Sequence, residues 1–246
     1  MSLAKTEDKA WRRLREVCWS PPGRAATGVR ASTFITCLHQ FEQLLRSGAH
    51  VDSSTRVVHL FCGLSQAGRA IAAAAEGFCD DTWKLTSHGI RATGFGDDFA
   101  DIVISTSPPG TSASFVRLSE LLDSPLWESV PLRLEDIWDT LPVPLAPPQT
   151  SSWRLPAFAP RVFGHVPYRE EPVPATPLSL ELHPLMAWWA VLYALCKLAQ
   201  VEPARWAVHT SHVSALHAHA VEELLQRALT HLPVLIADTI DEVAFV

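Results

Sequence analysis

Paired cysteines are missing from this chain of 246 residues. It has five cysteines, Cys18, Cys37, Cys62, Cys79 and Cys196, widely spaced and with no CxxC among them. An odd, scattered set excludes a disulfide framework and a Cys-type zinc site, so reduced thiols in the cytoplasm are expected. Charge is also scarce. Only 19% of residues are Asp, Glu, Lys or Arg, and the net charge is −6. Sequence-independent nucleic-acid binding needs a basic face that this balance does not supply. The catalytic signatures of several large enzyme classes are absent: there is no GxxxxGK[ST], no GxSxG and no HExxH. Asp97, Asp98 and Asp101 lack the spacing of a calcium loop and read as a solvated acidic turn. Neither metal nor cofactor is expected. The first 19 residues hold no apolar stretch of signal-peptide length. The longest apolar run, 185–196, is 12 residues and is closed by Lys197; a membrane span needs about 20, so a buried helix is expected and no membrane.

What the chain has is core. Hydrophobic residues make up 48% of it, with nine tryptophans, enough for a substantial packed interior. Helical spacing of apolar residues predicts a short helix over 11–19 stopped by Ser20-Pro21-Pro22, and a second over 31–47 ended by Gly48. Ser53-Ser54-Thr55 offers an N-cap for a third, over 55–75, whose Gly63, Ala67, Gly68 and Ala70 allow a neighbouring helix to come close. Residues 77–99 read as irregular, 101–106 as a short strand before a Ser-Pro-Pro-Gly turn, and 115–122 and 134–141 as short helices. The last block predicts two helices, 184–200 and 211–231, divided at Glu202-Pro203. Pro233 closes the second, and Val234-Leu235-Ile236 docks in the core. Trp188 and Trp189 point about 100° apart on a helix; core is the expected place for most of the tryptophans, and Trp153 is the candidate for exposure.

From 142 to 177 the chain carries ten of its 19 prolines. Proline removes a donor and fixes φ, which excludes a long helix there and predicts an extended wrap. The expected organisation is an N-terminal helix and linker over 1–30, then one helical domain over 31–246 containing that wrap. The fold class is mainly α with a minor β element: a single helical-bundle domain, with strands at 101–106 and at 178–182.

Four patches carry a resemblance to the YaaC-like family of bacterial proteins: Ser54-Thr-Arg-Val-Val-His-Leu-Phe-Cys-Gly-Leu-Ser-Gln-Ala-Gly-Arg-Ala, His88-Gly89-Ile90, Leu132-Arg-Leu-Glu-Asp-Ile-Trp-Asp-Thr-Leu-Pro, and the block from His183 through Leu195, Leu198, Glu202 and Pro203 to Trp206. Together they span about 31–240. The sequence departs from the family pattern where Phe61 and Cys62 replace paired tyrosines. Cys196-Lys197 and Gln200-Val201 likewise replace Ser-Met and Arg-Tyr pairs. The resemblance implies a largely α-helical cytoplasmic protein and names no reaction.

Candidate functional residues fall into three groups. On the helix over 55–75, His59, Cys62, Gln66 and Arg69 share one face. With His88 in the irregular segment, His59, Gln66 and Arg69 form a candidate ligand set; an ordinary solvated face is the plainer reading. Arg205 and His212 make an R-x6-H spacing similar to that of HEPN ribonucleases, which are also small helical bundles. That likeness implies metal-independent RNA cleavage by general acid–base chemistry. His209, His212, His217, His219 and His231 have no acidic partner at a fixed spacing, so a wet face is favoured over a zinc site. With core signals ample and no convergent catalytic set, the expected function is non-catalytic binding to a protein partner, in a bacterial defence or stress locus. The alternatives are the ribonuclease and a small-ligand-binding protein.

Overall fold

A computed structural model describes residues 3–96, 99–127, 130–142, 181–211 and 215–245. Eight α-helices run in the order α1 (Leu3–Trp19), α2 (Gly28–Ala49), α3 (Ser53–Ala74), α4 (Ser114–Leu121), α5 (Leu134–Trp138), α6 (Pro184–Val201), α7 (Pro203–Thr210) and α8 (Ala215–Ala244). Three short strands, β1 (Ile90–Thr93), β2 (Val103–Thr106) and β3 (Leu132–Arg133), form one antiparallel sheet in the order β1-β2-β3. The fold is mainly α with a small sheet, as the sequence predicts.

The centre is α6. Every residue from Leu185 to Cys196 is buried, and a helix apolar on all sides has to be enclosed. Helix α3 packs on it and on α2, and α8 on α3, α6 and α1. Leu64, Leu195 and Leu225 are fully buried in a single cluster. Two glycines set the spacing of these helices. A Cβ on Gly63 would lie 2.7 Å from the Leu45 side chain of α2, and one on Gly68 would lie 2.5 Å from the Trp189 ring of α6. By length and composition α3 and α6 could each cross a membrane, but 67% and 72% of those windows are buried inside this molecule.

Two arginines clip the α2–α3 hairpin at its ends. Arg56, at the start of α3, donates to the carbonyl of Gly48 (3.0 Å) in the last turn of α2 and to that of Val51 (2.9 Å) just beyond it, and pairs with Glu222 of α8 at 2.7 Å. Arg30, near the start of α2, donates to the carbonyls of Ala73 in the last turn of α3 and of Ala75 and Phe78 just beyond it, and lies 5.3 Å over the Trp83 ring. Both satisfy carbonyls that a helix end leaves open. At the N-terminus of α6, His183 Nδ1 accepts from the Leu185 N–H at 3.2 Å, and Pro184 follows in the first turn, where its missing N–H costs nothing. The proton therefore sits on Nε2, which donates to Glu242 at 3.3 Å and ties α6 to the end of α8.

The structure corrects several expectations. α1 is longer than 11–19, and α3 begins after Asp52, whose carbonyl, not a side chain, meets the first amides. The 77–99 stretch contains β1, paired with β2 from Ile90↔Thr106 to Thr93↔Val103. Residues 203–210 form a separate helix, and α8 continues through Pro233 to Ala244. Trp188 and Trp189 are both buried, while Trp19 is 91% exposed. Most of the Pro-rich stretch, Trp153 and 178–180 lie outside the described residues.

Candidate functional site

The polar face predicted on α3 meets a second polar stripe on α6. Cys196 and Lys197 are adjacent at the C-terminal end of an otherwise apolar helix, and Gln200 follows one turn on. They face Phe61, Cys62, Ser65 and Gln66 of α3 across a half-open cavity of about 160 Å³, with the exposed His88 at its edge on the loop before β1.

That loop is held by its backbone. The carbonyls of Ser87 and His88 accept from the amides of Ser114 (2.7 Å) and Phe115 (2.9 Å), the first donors of α4, and Gly89 O accepts from Ser107 N at 2.9 Å. Gly89 has φ +69°, and a Cβ there would lie 2.3 Å from that of Ala113; only glycine fits. The imidazole is left to pack, with ring centroids 5.2 Å from Phe61 and 5.7 Å from Tyr193. Partial burial, then the charges of Lys197 and Arg69, hold His88 below its ordinary pKa.

Burial pushes the Cys62 thiol up. Burial, with Cys62 nearby, pushes Cys196 up to about 12. A catalytic cysteine–histidine pair needs the reverse, a lowered thiol beside a protonated ring. At pH 8, Cys196 is therefore expected to react with iodoacetamide about a thousandfold or more slowly than an ordinary exposed thiol, with Cys79, the exposed cysteine, modified first. Site-resolved mass spectrometry over a time course checks this order; Cys196 reacting alongside Cys79 would refute it.

Of the predicted ligand set, Gln66 and His88 line the cavity, and Gln66 also accepts from Cys37 Sγ at 3.5 Å. Arg69 lies one turn beyond Gln66, exposed, with its charge acting on His88. His59 is at the other end of the stripe, beside Gly48, with Nδ1 3.3 Å from the Thr55 carbonyl; it does not line the cavity. Cys196, Lys197 and Gln200 are the wall that sequence reasoning missed, although each of the three family-pattern departures, at 61–62, 196–197 and 200–201, places a residue there. Arg205 lies in α7 and donates to the Phe95 carbonyl. α7 ends at Thr210 and His212 lies outside the described residues. His209 is buried and stacks on Phe99 at 4.4 Å. Among the described residues no three His, Cys, Asp or Glu side chains are placed to hold a metal ion.

A family model, YaaC-like Protein, matches residues 7–146, more than half of the chain. The chain belongs to the YaaC-like family. The YaaC-like match runs from α1 through α5, and so contains the α3 wall and His88 but not the α6 wall. It also takes in most of the 1–30 segment, whose helix α1 packs along α8 through Arg13, paired with Asp238 and Asp241. Comparisons with curated proteins and with solved structures give no match.

Proposed function

We propose that this YaaC-like protein is a non-catalytic, cytoplasmic binding protein whose ligand site is the cavity between α3 and α6 under His88. One observation carries the reading: polar side chains from three separate segments, Ser65 and Gln66, His88, and Lys197 and Gln200, converge on one half-open surface cavity whose remaining lining is Phe61, Cys62 and Cys196. Convergent polar groups in a formed pocket are what a ligand site requires. The thiol and imidazole there are tuned away from nucleophilic chemistry. The ribonuclease alternative has less support, because Arg205 is engaged with the Phe95 carbonyl and the helix carrying it stops before residue 212.

A thermal-shift screen of metabolites and nucleotides tests the proposal. A ligand at about a hundred times its Kd adds about 2.7 kcal/mol, a rise of about 5–10 °C in Tm for a chain of this size. The rise is expected to vanish in Gln66→Leu. A hit unaffected by Gln66→Leu and by Gln200→Leu, or the absence of any hit, counts against the site.

A further inference from the structure

The charge around this cavity is one-sided. Helices α3 and α6 contain no Asp or Glu, and neither does the stretch 85–93 that carries His88 and β1. The cations there are Lys197 on the lining, Arg69 acting on His88, and Arg91 of β1 acting on Tyr193. Several other cations reach carboxylates: Arg13, Arg24, Arg56, Lys84, Arg117 and Arg227 each pair with an Asp or Glu. Lys197, Arg69 and Arg91 form no ion pair among the described residues. Lys197 Nζ instead lies 3.4 Å from Gln200 Oε1 and 5.9 Å from the Tyr193 ring centroid. In a protein of net charge −6, a concave site lined by one ammonium, neutral polar groups and Phe61, with no carboxylate on its wall, attracts negative charge locally.

Size narrows the class. Sites for drug-sized ligands occupy about 300–1,000 Å³, and this cavity has about 160 Å³. It cannot enclose a nucleotide; it can enclose a compact acid. The donors suit such a guest, with an ammonium, two carboxamides, a hydroxyl and an imidazole available from Lys197, Gln66, Gln200, Ser65 and His88.

Resting on the binding proposal above, we infer that the cavity takes a compact oxyanion, a phosphate or small carboxylate, gripped by Lys197 with Gln66 and Gln200 and met at the cavity's edge by His88. The titratable and charged groups around His88 are Cys62 and Arg69 from α3 and Tyr193, Cys196 and Lys197 from α6, with no carboxylate among them. Burial, then the charges of Lys197 and Arg69, disfavour the imidazolium when no anion is bound. A bound anion reverses the local field and favours the imidazolium, so binding takes up a proton. Affinity therefore rises as pH falls from about 8 to about 6.

The experiment uses the full chain and reads alkylation of Cys62, whose thiol lines the cavity, by site-resolved mass spectrometry. The probes are inorganic phosphate and malonate, with uncharged malonamide as the size-matched control. Each rate is normalised to the same variant without probe. Phosphate or malonate is expected to protect Cys62 at concentrations where malonamide does not, and which of the two acts identifies the anion. Lys197→Ala, on a half-buried position, is expected to weaken protection roughly 10- to 100-fold and Lys197→Arg to retain most of it. His88→Gln is expected to flatten the pH dependence. Malonamide protecting as well as malonate, or Lys197→Ala protecting like the parent, overturns the anion inference and leaves the binding site standing. Protection by no probe, charged or neutral, overturns both.

Discussion

Trp189→Ala is expected to destabilise the protein by about 3–5 kcal/mol. The ring is fully buried against Gly68 and lies edge-on to Phe61, with centroids 6.3 Å apart. Its indole N–H has no hydrogen-bond partner among the described residues, so the loss is packing alone. The informative result is the partner substitution. Gly68→Ala puts a methyl 2.5 Å from a ring carbon; a rigid aromatic wall cannot yield as a flexible chain end can, and overpacking of this kind costs about 1–3 kcal/mol. Alanine also favours the helix by about 1 kcal/mol over glycine. With the Trp189 ring removed only that gain remains, apart from the Leu118 methyl at 2.9 Å, which can rotate aside. Gly68→Ala should therefore be destabilising in the parent and neutral or stabilising in Trp189→Ala. Denaturant unfolding of the four proteins measures the coupling, expected at about 1–3 kcal/mol. Additive costs would mean that α3 and α6 are not held apart by this contact.

The same pair shows what the sequence exposes and what it hides. Small residues on α3 and an apolar block at α6 point to a close helix contact without showing which glycine meets which side chain. Gly63 turns out to face α2 and Gly68 to face α6. Elements defined by local spacing, such as α2, α3 and α6, are readable because burial and periodicity coincide in them. β1 is not, because four residues beside glycines become a strand only by pairing with a segment about a dozen residues on. Proline misleads in both directions. Pro203 starts a helix where Glu-Pro reads as a break, since a first-turn proline loses no bond. Pro233 is carried inside α8 because its neighbours Leu232, Ile236 and Ala237 are buried on the core side, which outweighs one missing hydrogen bond.

The candidate site was half visible for a related reason. Spacing alone put His59, Cys62, Gln66 and Arg69 on one stripe of α3, but a stripe about 15 Å long outruns a 160 Å³ cavity, so its ends fall outside. On α6, Cys196 and Lys197 read as the end of an apolar run. They are a wall only because Phe61 and His88 arrive opposite them, and no local pattern encodes that arrival.

Arg56→Ala is the second substitution expected to act strongly, at about 2–4 kcal/mol. Its guanidinium is nearly buried and donates to two carbonyls at the α2–α3 turn. Hydrogen bonds from a charged donor contribute about 1.5–3 kcal/mol each, and removing the donor strands both acceptors. The ion pair with Glu222 is the smaller part, because that carboxylate is 43% exposed and water replaces the partner. Glu222→Ala is accordingly expected to cost less than about 1 kcal/mol. Lysine should rescue little, since one ammonium cannot span Gly48 O, Val51 O and Glu222 together as a planar fork does. Chemical denaturation of Arg56→Ala, Arg56→Lys and Glu222→Ala separates the contributions. If Glu222→Ala proved as damaging as Arg56→Ala, the clip would be an interhelical ion pair between α3 and α8. The family-pattern arginine would then serve the packing of the last helix, not the closing of the α2–α3 hairpin.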